Sequence, residues 1–119
     1  MKESILLTKS FGFALRIVKL GQYLQVEHRE YILSKQLIRS GTAVGALIRE
    51  AQYAESKADF LHKLSISLKE INETRYWLDL IFESSYITDT MYQSIEPQSE
   101  ELLKLLIAST KKVKQNAKK

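Results

Sequence analysis

The chain has 119 residues, a net charge of +4, one proline, four glycines and no cysteine. The lack of cysteine excludes disulfides, thiolate zinc sites and cysteine nucleophiles. So few turn-forming residues exclude a sandwich of short strands, and the composition favours an all-α protein folded as one domain over residues 1–119. No stretch is apolar enough for a membrane span or a targeting segment, so we expect a cytoplasmic protein without membrane contacts.

Charge is separated along the chain. Residues 1–49 carry 8 basic and 3 acidic side chains, residues 50–101 carry 4 and 11, and residues 102–119 carry 6 and none. This separation predicts a bipolar surface, one part of which attracts phosphates while another part repels them.

The first predicted helix covers about residues 5–26 and carries apolar residues over roughly 200° of its circumference, counting ~100° per residue. A helix in a bundle buries a stripe only a little wider than ~100°. The helix therefore has two apolar stripes, of which one is free for a partner: Leu6, Phe13, Ile17, Leu20 and Leu24 form the first, and Leu7, Phe11, Ala14 and Val18 form the second.

Three further helices follow, at about residues 31–54, 57–84 and 89–115. Ser56 with Asp59 is typical of a capped start for the third helix, and Thr88 can cap the fourth. Pro97 predicts a kink in the fourth helix or a short separate helix before it. Short connections between long helices favour an up-down-up-down antiparallel four-helix bundle. The inward face predicted for the third helix contains Leu61, Leu64, Leu68, Ile71, Leu78 and Phe82.

Gly41 and Gly45 lie four residues apart in the stretch RSGTAVGALIREA. A phosphate-binding loop is excluded because it needs a preceding strand and a lysine after the last glycine, whereas Ala46 and Leu47 follow here. Small residues at this spacing allow two helices to approach closely. We therefore predict that both glycines mark tight helix packing.

Arg75 falls in the stripe of the third helix that should point inward. An unpaired guanidinium there is costly, so we expect a carboxylate partner from another helix, with Glu50 favoured over Glu55. The pair would fix the register of the bundle. The alternative is that Arg75 lines an anion site.

Basic side chains form an ordered strip on the second helix. Lys35, Arg39 and Arg49 lie within about 80° of one another at ~100° per residue, and Tyr53 shares their outward strip. A solvated face explains such a strip in a monomer, but a ring of subunits would repeat it as a positive collar suited to phosphates and stacked bases. The tail KKVKQNAKK, with Lys111, Lys112 and Lys114, adds further possible phosphate contacts.

Catalytic and metal sites find no support in the sequence. His28 and His62 are the only histidines, and they are too far apart for a helical metal pair. Glu70 with Glu73 and Glu100 with Glu101 lack the Glu-x-x-His pairs of a di-metal bundle. We therefore predict no catalytic residue, metal or cofactor.

Two stretches, QLIRSGTAVGALIREA and AESKADFLHKLSISLKEINETRYWLDL, resemble the bacterial four-helix-bundle proteins associated with intervening sequences in 23S ribosomal RNA genes. That family is similar in turn to accessory proteins of diversity-generating retroelements. The resemblance implies a homo-oligomeric barrel, typically a pentamer, without known catalysis. For the accessory branch it implies binding of nucleic acid and of a reverse transcriptase. The chain departs from the family pattern at Ala43, where serine is usual, and at Leu47, where asparagine is usual.

Oligomerisation is also expected from the residues themselves. The third helix sets Ile66, Trp77 and Ile81 opposite its inward stripe, and one core cannot cover both faces. We predict an interface formed by Phe13 and Ile17 of the first helix with these three residues. The predicted function is that of a non-enzymatic nucleic-acid-binding oligomer, and the alternative is a protein-protein scaffold that binds no nucleic acid.

Overall fold

The computed structural model describes residues 2–117, with side chains for residues 5–116. This part of the chain contains no strand and four helices, α1 (Lys2–His28), α2 (Leu33–Ala51), α3 (Lys57–Glu83) and α4 (Asp89–Ala117). The all-helical prediction is thus confirmed, and every helix end lies within three residues of its expected position. The helices pack side by side into an elongated body of 51 × 22 × 20 Å.

Where neighbouring helices touch, early residues of one helix contact late residues of the other. Gln25 of α1 bonds to Ser34 of α2, whereas the earlier Ser10 lies against the later Gly45. Each helix contacts the next in the chain, and α1 also contacts α4, so the four helices occupy the corners of a square. The α1–α4 contact is the sparsest of the four.

Polar caps begin two of the helices as predicted. The Ser56 hydroxyl accepts a hydrogen bond from the Asp59 backbone N–H at 3.0 Å, and the Thr88 hydroxyl accepts one from the Met91 N–H at 3.1 Å. Each hydroxyl satisfies a backbone donor that the first helical turn leaves without a partner.

The cap of α2 was not foreseen. Its N-cap residue, Ile32, has no capping side chain, and the Glu30 carboxylate accepts the N–H groups of Ile32, Leu33 and Ser34 at 2.7–3.0 Å instead. Burial alone would raise the pKa of Glu30, but these backbone hydrogen bonds outweigh it and lower that pKa.

Pro97 lies inside α4, which continues through it as one helix, so the separate helix considered before it is wrong. Proline removes one backbone N–H from the helical ladder. Arg16 of α1 braces this turn: its guanidinium donates to the Ser94 carbonyl at 2.8 Å and to the Ser94 hydroxyl and Gln98 side chain at 2.6 Å. Arg16 thus links α1 to the turn of α4 that contains Pro97.

The core is built from one of the two apolar stripes of α1. Phe13 and Ile17 are at most 1% exposed, and Ile81 of α3 is fully buried. The prediction that these three residues form an oligomer interface is therefore wrong. The stripe left outside contains Phe11, with 55% exposure, together with Leu7, Ala14 and Val18. Ile66 and Trp77, also predicted at the interface, are half-buried.

The two glycines of α2 decide which stripe faces inward. A Cβ atom added to Gly41 would lie 2.7 Å from Cγ2 of Ile17, and one added to Gly45 would lie 3.3 Å from Oγ of Ser10. Both glycines thus lie against α1, and at position 41 there is no room for a side chain. Ile17 fills the space that a side chain at position 41 would occupy, and this contact turns its stripe into the core.

Small polar side chains form the contact between α2 and α3. The Ser67 hydroxyl donates to the Val44 carbonyl at 2.9 Å, and the Thr74 hydroxyl donates to the Ser40 hydroxyl at 2.9 Å. All four residues are fully buried. The inward face of α3 is therefore turned toward α2, and the predicted core residues Leu61, Leu68 and Phe82 are only half-buried.

Arg75 is paired, but not with the predicted residue. Its guanidinium lies 3.1 Å from a Glu96 carboxylate oxygen and donates to the Ser99 hydroxyl at 2.8 Å, both on α4. Glu50 instead accepts from Lys63 at 3.0 Å. The prediction of an Arg75–Glu50 pair is wrong because Arg75 lies on the side of α3 toward α4, away from α2. Its charge is matched, which argues against an anion site.

The same α3–α4 contact holds a perturbed tyrosine. Tyr92 stacks on Phe82 with ring centroids 4.3 Å apart, and its hydroxyl donates to Asp79 at 2.5 Å. This hydrogen bond, with burial and the negative charge of Asp79, raises the pKa of Tyr92 to about 12. Tyr92 therefore keeps its hydroxyl proton, and with it the hydrogen bond to Asp79, at neutral pH.

We expect Gly41→Ala to lower the free energy of unfolding, because overpacking against Ile17 costs about 1–3 kcal/mol and exceeds the gain in helix propensity. Gly12→Ala is the matched control. No atom lies within 4 Å of a Cβ at that position, so the substitution should stabilise by about 0.5–1 kcal/mol. Urea denaturation measures both effects, and equal effects of the two changes would contradict the close α1–α2 contact.

Glu96→Met should destabilise the protein by about 2 kcal/mol, because it leaves Arg75 unpaired. A fully buried pair would cost ~3–5 kcal/mol, but about a quarter of each side chain is exposed. Arg75→Met should cost less than ~1 kcal/mol, since the remaining carboxylate can take up a proton. Thermal denaturation of both variants and the double variant tests the pair. Additive effects would show that the two residues do not interact.

Candidate nucleic-acid interface

The predicted basic strip on α2 is exposed, but its central cation is already neutralised. Lys35, Arg39 and Arg49 are all exposed. Arg39 forms ion pairs with Glu70, at 3.6 Å, and with Glu73. A guanidinium held between two carboxylates offers little net charge to a phosphate. We therefore interpret Arg39 as a link between α2 and α3 rather than as the centre of a binding strip.

A tryptophan belongs to the same cluster. The Trp77 indole N–H donates to the Glu73 carboxylate at 3.0 Å, and its ring meets Tyr76 edge-on with centroids 5.1 Å apart. One oxygen of Glu70 is buried without a hydrogen bond. The positive charge of Arg39, 3.6 Å away, stabilises this buried carboxylate oxygen. The cluster therefore depends on the arginine that the sequence analysis assigned to nucleic-acid binding.

Lys35 and Arg49 lie too far apart to form one contact. Fourteen residues of helix separate them, which corresponds to ~21 Å along α2. No ion pair joins either residue to the other side chains of the described chain. Arg49 lies near the α2–α3 turn, whereas Lys35 lies at the other end of the bundle. The strip is therefore two separate cations rather than a continuous surface.

The basic end of α4 is the strongest positive feature. Lys111, Lys112 and Lys114 are exposed, and residues 102–119 contain no acidic side chain. The last two lysines of the tail, 118 and 119, lie outside the described residues. Lys9 of α1 pairs with Glu101 of α4 at 3.0 Å, so the end of α4 lies at the end of the bundle where α1 begins. Arg49 lies toward this same end, and the structure thus brings Arg49 and the α4 lysines to one end of the molecule.

An apolar groove runs beside Arg49, and sequence reasoning did not foresee it. This α1–α2 groove has a volume of about 820 Å³ and is lined on the α1 side by the outer stripe, including Phe11, and by Leu15. On the α2 side it is lined by Ala46, Arg49 and Tyr53. Tyr53 is 85% exposed, and Phe11 and Leu15 are about half exposed, so the groove presents apolar surface to solvent.

Charged residues border one end of the α1–α2 groove. Glu50, Glu55, Asp59 and Lys63 lie around the α2–α3 turn. Lys63 bonds to Glu50, and this contact raises the pKa of Lys63. Glu55 and Asp59 are left as the acidic part of the border. The spacing of the second α1 stripe could have indicated this groove, because it already showed more apolar surface than one core needs.

Neither histidine lines the α1–α2 groove. His28 lies between Tyr23 and Tyr86, with both ring centroids at 5.4 Å, where the α1–α2 and α3–α4 connections meet. His62 is an exposed residue of α3. Among the described side chains, no group of three His, Asp or Glu residues is arranged to hold a metal ion. None of the four helices is long and apolar enough to cross a membrane.

A family model for the 23S rRNA-intervening sequence protein matches residues 2–108. A crystal structure at 1.70 Å resolution of a protein with unknown function from the S23 ribosomal protein family of Bacteroides thetaiotaomicron VPI-5482 superposes with a TM-score of 0.91. It is 51% identical in sequence, and the match covers 93% of this chain and 99% of that one. No curated protein matches the chain. Since the family model covers α1, α2, α3 and most of α4, the chain belongs to the 23S rRNA-intervening sequence protein family.

Proposed function

We propose that this protein is a non-enzymatic, cytoplasmic up-down-up-down bundle that assembles into a homo-oligomer, a pentamer by the family resemblance, and binds nucleic acid. The observation that carries the proposal is the lysine-rich end of α4, where exposed Lys111, Lys112 and Lys114 are not accompanied by any acidic residue. The family takes its name from intervening sequences of 23S rRNA, and we take structured RNA or a ribonucleoprotein as the ligand.

Electrostatic attraction to phosphates is the proposed mode of binding. Lysine contacts phosphate as a point charge and reads no base sequence. Cyclic assembly repeats each α4 end and each Arg49 around the ring, and clustered cations release several counterions at once when nucleic acid binds. Binding is therefore strong at low salt and only weakly specific for sequence.

Self-association is supported by the apolar surface that one bundle leaves in water. Phe11 and Leu15 are 55% and 51% exposed, and Tyr53 lies beside them. Contiguous apolar patches of this kind normally mark partner surfaces. The surface differs from the predicted one, since Phe13, Ile17 and Ile81 are buried in the core.

A protein-protein scaffold, for example for a reverse transcriptase, is the second candidate. The α1–α2 groove favours it, because its apolar lining and mixed-charge border suit a protein segment better than a phosphate backbone. The affinity of such a scaffold for its partner would change little with salt.

Light scattering at micromolar concentration tests the assembly. We expect a mass near five chains of 13.8 kDa. Phe11→Glu should lower the mass by placing a charge in the exposed apolar surface, whereas Val26→Glu, at a 76% exposed site near the other end of α1, should leave it unchanged. A wild-type mass of one chain would contradict the oligomer, and a mass of two chains would contradict the ring.

The salt dependence of RNA binding tests the lysines. A fluorescence titration between about 50 and 200 mM salt should give a steep negative slope of log affinity against log salt. Lys112→Gln with Lys114→Gln should make the slope shallower by about 0.7–0.9 for each lysine that contacts a phosphate.

Lys19→Gln with Lys69→Gln is the matched control, because it removes the same charge from exposed sites on α1 and α3. It should leave the slope nearly unchanged. Equal effects of the two pairs would assign binding to the overall charge instead of the α4 end. Affinity that is indifferent to salt would contradict phosphate binding and favour the scaffold.

A further inference from the structure

The α1–α2 groove and one side of α4 are complementary in polarity, charge and position. The relevant side of α4 is a ridge formed by Leu103, Ile107 and Lys111, which follow one another at intervals of four residues and so lie in one row. We term this row the α4 ridge. Ile107 is 47% exposed, and Lys111 is exposed.

The ridge and the groove lie on opposite sides of the bundle. Glu96, which pairs with Arg75 of α3, is eleven residues before Ile107, or about three helical turns, so Ile107 lies toward the α3 side of α4. The groove lies on the outer side of α1 and α2. Because the helices occupy the corners of a square, the α3–α4 side is opposite the α1–α2 side. One molecule can therefore present its ridge to a neighbour while its own groove receives another.

The ridge and the groove also lie at the same height. Ser10 lies against Gly45, and Lys9 bonds to Glu101, so these four residues define one level across the bundle. From this level, Ala51 at the end of α2 and Ile107 are each six residues nearer the same end, or ~9 Å at the helical rise, and Tyr53 follows Ala51 in the turn. Two bundles standing side by side with parallel axes would therefore bring Ile107 next to Tyr53.

The charges match in the same arrangement. Lys111 lies one turn beyond Ile107, ~6 Å nearer the end of the bundle. Asp59 lies one turn beyond Lys63, whose partner Glu50 is on the groove border. Lys111 thus reaches the level of Asp59 and Glu55, the acidic part of that border. An apolar ridge flanked by lysine would meet an apolar groove flanked by carboxylates.

We propose that the α1–α2 groove binds the α4 ridge of a second copy of this chain. The inference rests on the proposed homo-oligomer and identifies the two surfaces that form it. The contact joins unlike faces, so each copy uses both, and repetition closes a ring or continues as a filament. Parallel axes keep every lysine-rich α4 end on the same side of the assembly, where Lys112 and Lys114 of one copy lie close to Arg49 of the next.

Chemical cross-linking tests this contact directly, because the natural chain has no cysteine. Copies carrying Tyr53→Cys are mixed with copies carrying Ile107→Cys, allowed to exchange subunits, and treated with a short bis-maleimide. We expect covalent dimers in the mixture and none in either variant alone. The matched control mixes Tyr53→Cys with Val26→Cys, an exposed site near the opposite end of α1, and should give no dimers.

A charge exchange provides an independent test of the same contact. Glu55→Lys and Lys111→Glu should each raise the apparent dissociation constant of the assembly about five-fold, and the double variant should restore it. Both side chains are exposed, so neither change should impair folding.

The outcomes separate this inference from the proposed function. A single-chain mass for the wild-type protein would overturn both. A multimeric mass with dimers from Tyr53→Cys alone would show that grooves face each other, which overturns the groove–ridge contact and leaves the homo-oligomer intact. A multimeric mass without dimers in the mixture, or without restoration by the double charge exchange, would likewise overturn only the contact proposed here.

Discussion

The contact between Ile17 and Gly41 determines the rest of the architecture. Because α2 has no side chain at this position, Ile17 can lie directly on its backbone, and α1 is drawn close along its inner stripe. The other apolar stripe of α1 is then forced to the surface, where it forms the α1–α2 groove with Tyr53. The buried core and the exposed apolar surface are thus two results of one close approach.

The positions of the helices could be predicted from the sequence because their signals are local. Apolar periodicity, the Ser56 and Thr88 caps and the short connections depend only on neighbouring residues. Which of two apolar stripes faces inward depends on the partner helix, and periodicity weighs both stripes equally. The stripe containing Phe13 and Ile17 was therefore assigned to an interface, although it forms the core. The Ser67–Val44 and Thr74–Ser40 contacts gave no signal, since buried serine and threonine look polar in any sequence pattern.

Much of the charge of the protein is used within the bundle. Arg39 is held by two glutamates of α3, Arg75 by Glu96 and Arg16 by the turn around Pro97. A count of basic residues on a helical wheel treats every one of them as available to bind a phosphate. Only the contacts between helices show which basic residues are already neutralised. The sequence therefore located the basic end of α4 but not the neutralisation of Arg39. Arg75 does form an ion pair with a carboxylate from another helix, as predicted. Its partner depends on which side of α3 faces α4, and no local sequence pattern contains that information.

The uneven distribution of contacts also bears on how the chain folds. Consecutive helices contact each other extensively, whereas α1 and α4 meet through few residues, among them Arg16 with its hydrogen bonds and the Lys9–Glu101 ion pair. Contacts between neighbours in sequence close short loops and cost little chain entropy. We therefore expect the chain to assemble rapidly, helix by helix, and to close last along the α1–α4 contact. That contact is also where native-state hydrogen exchange should first detect local opening.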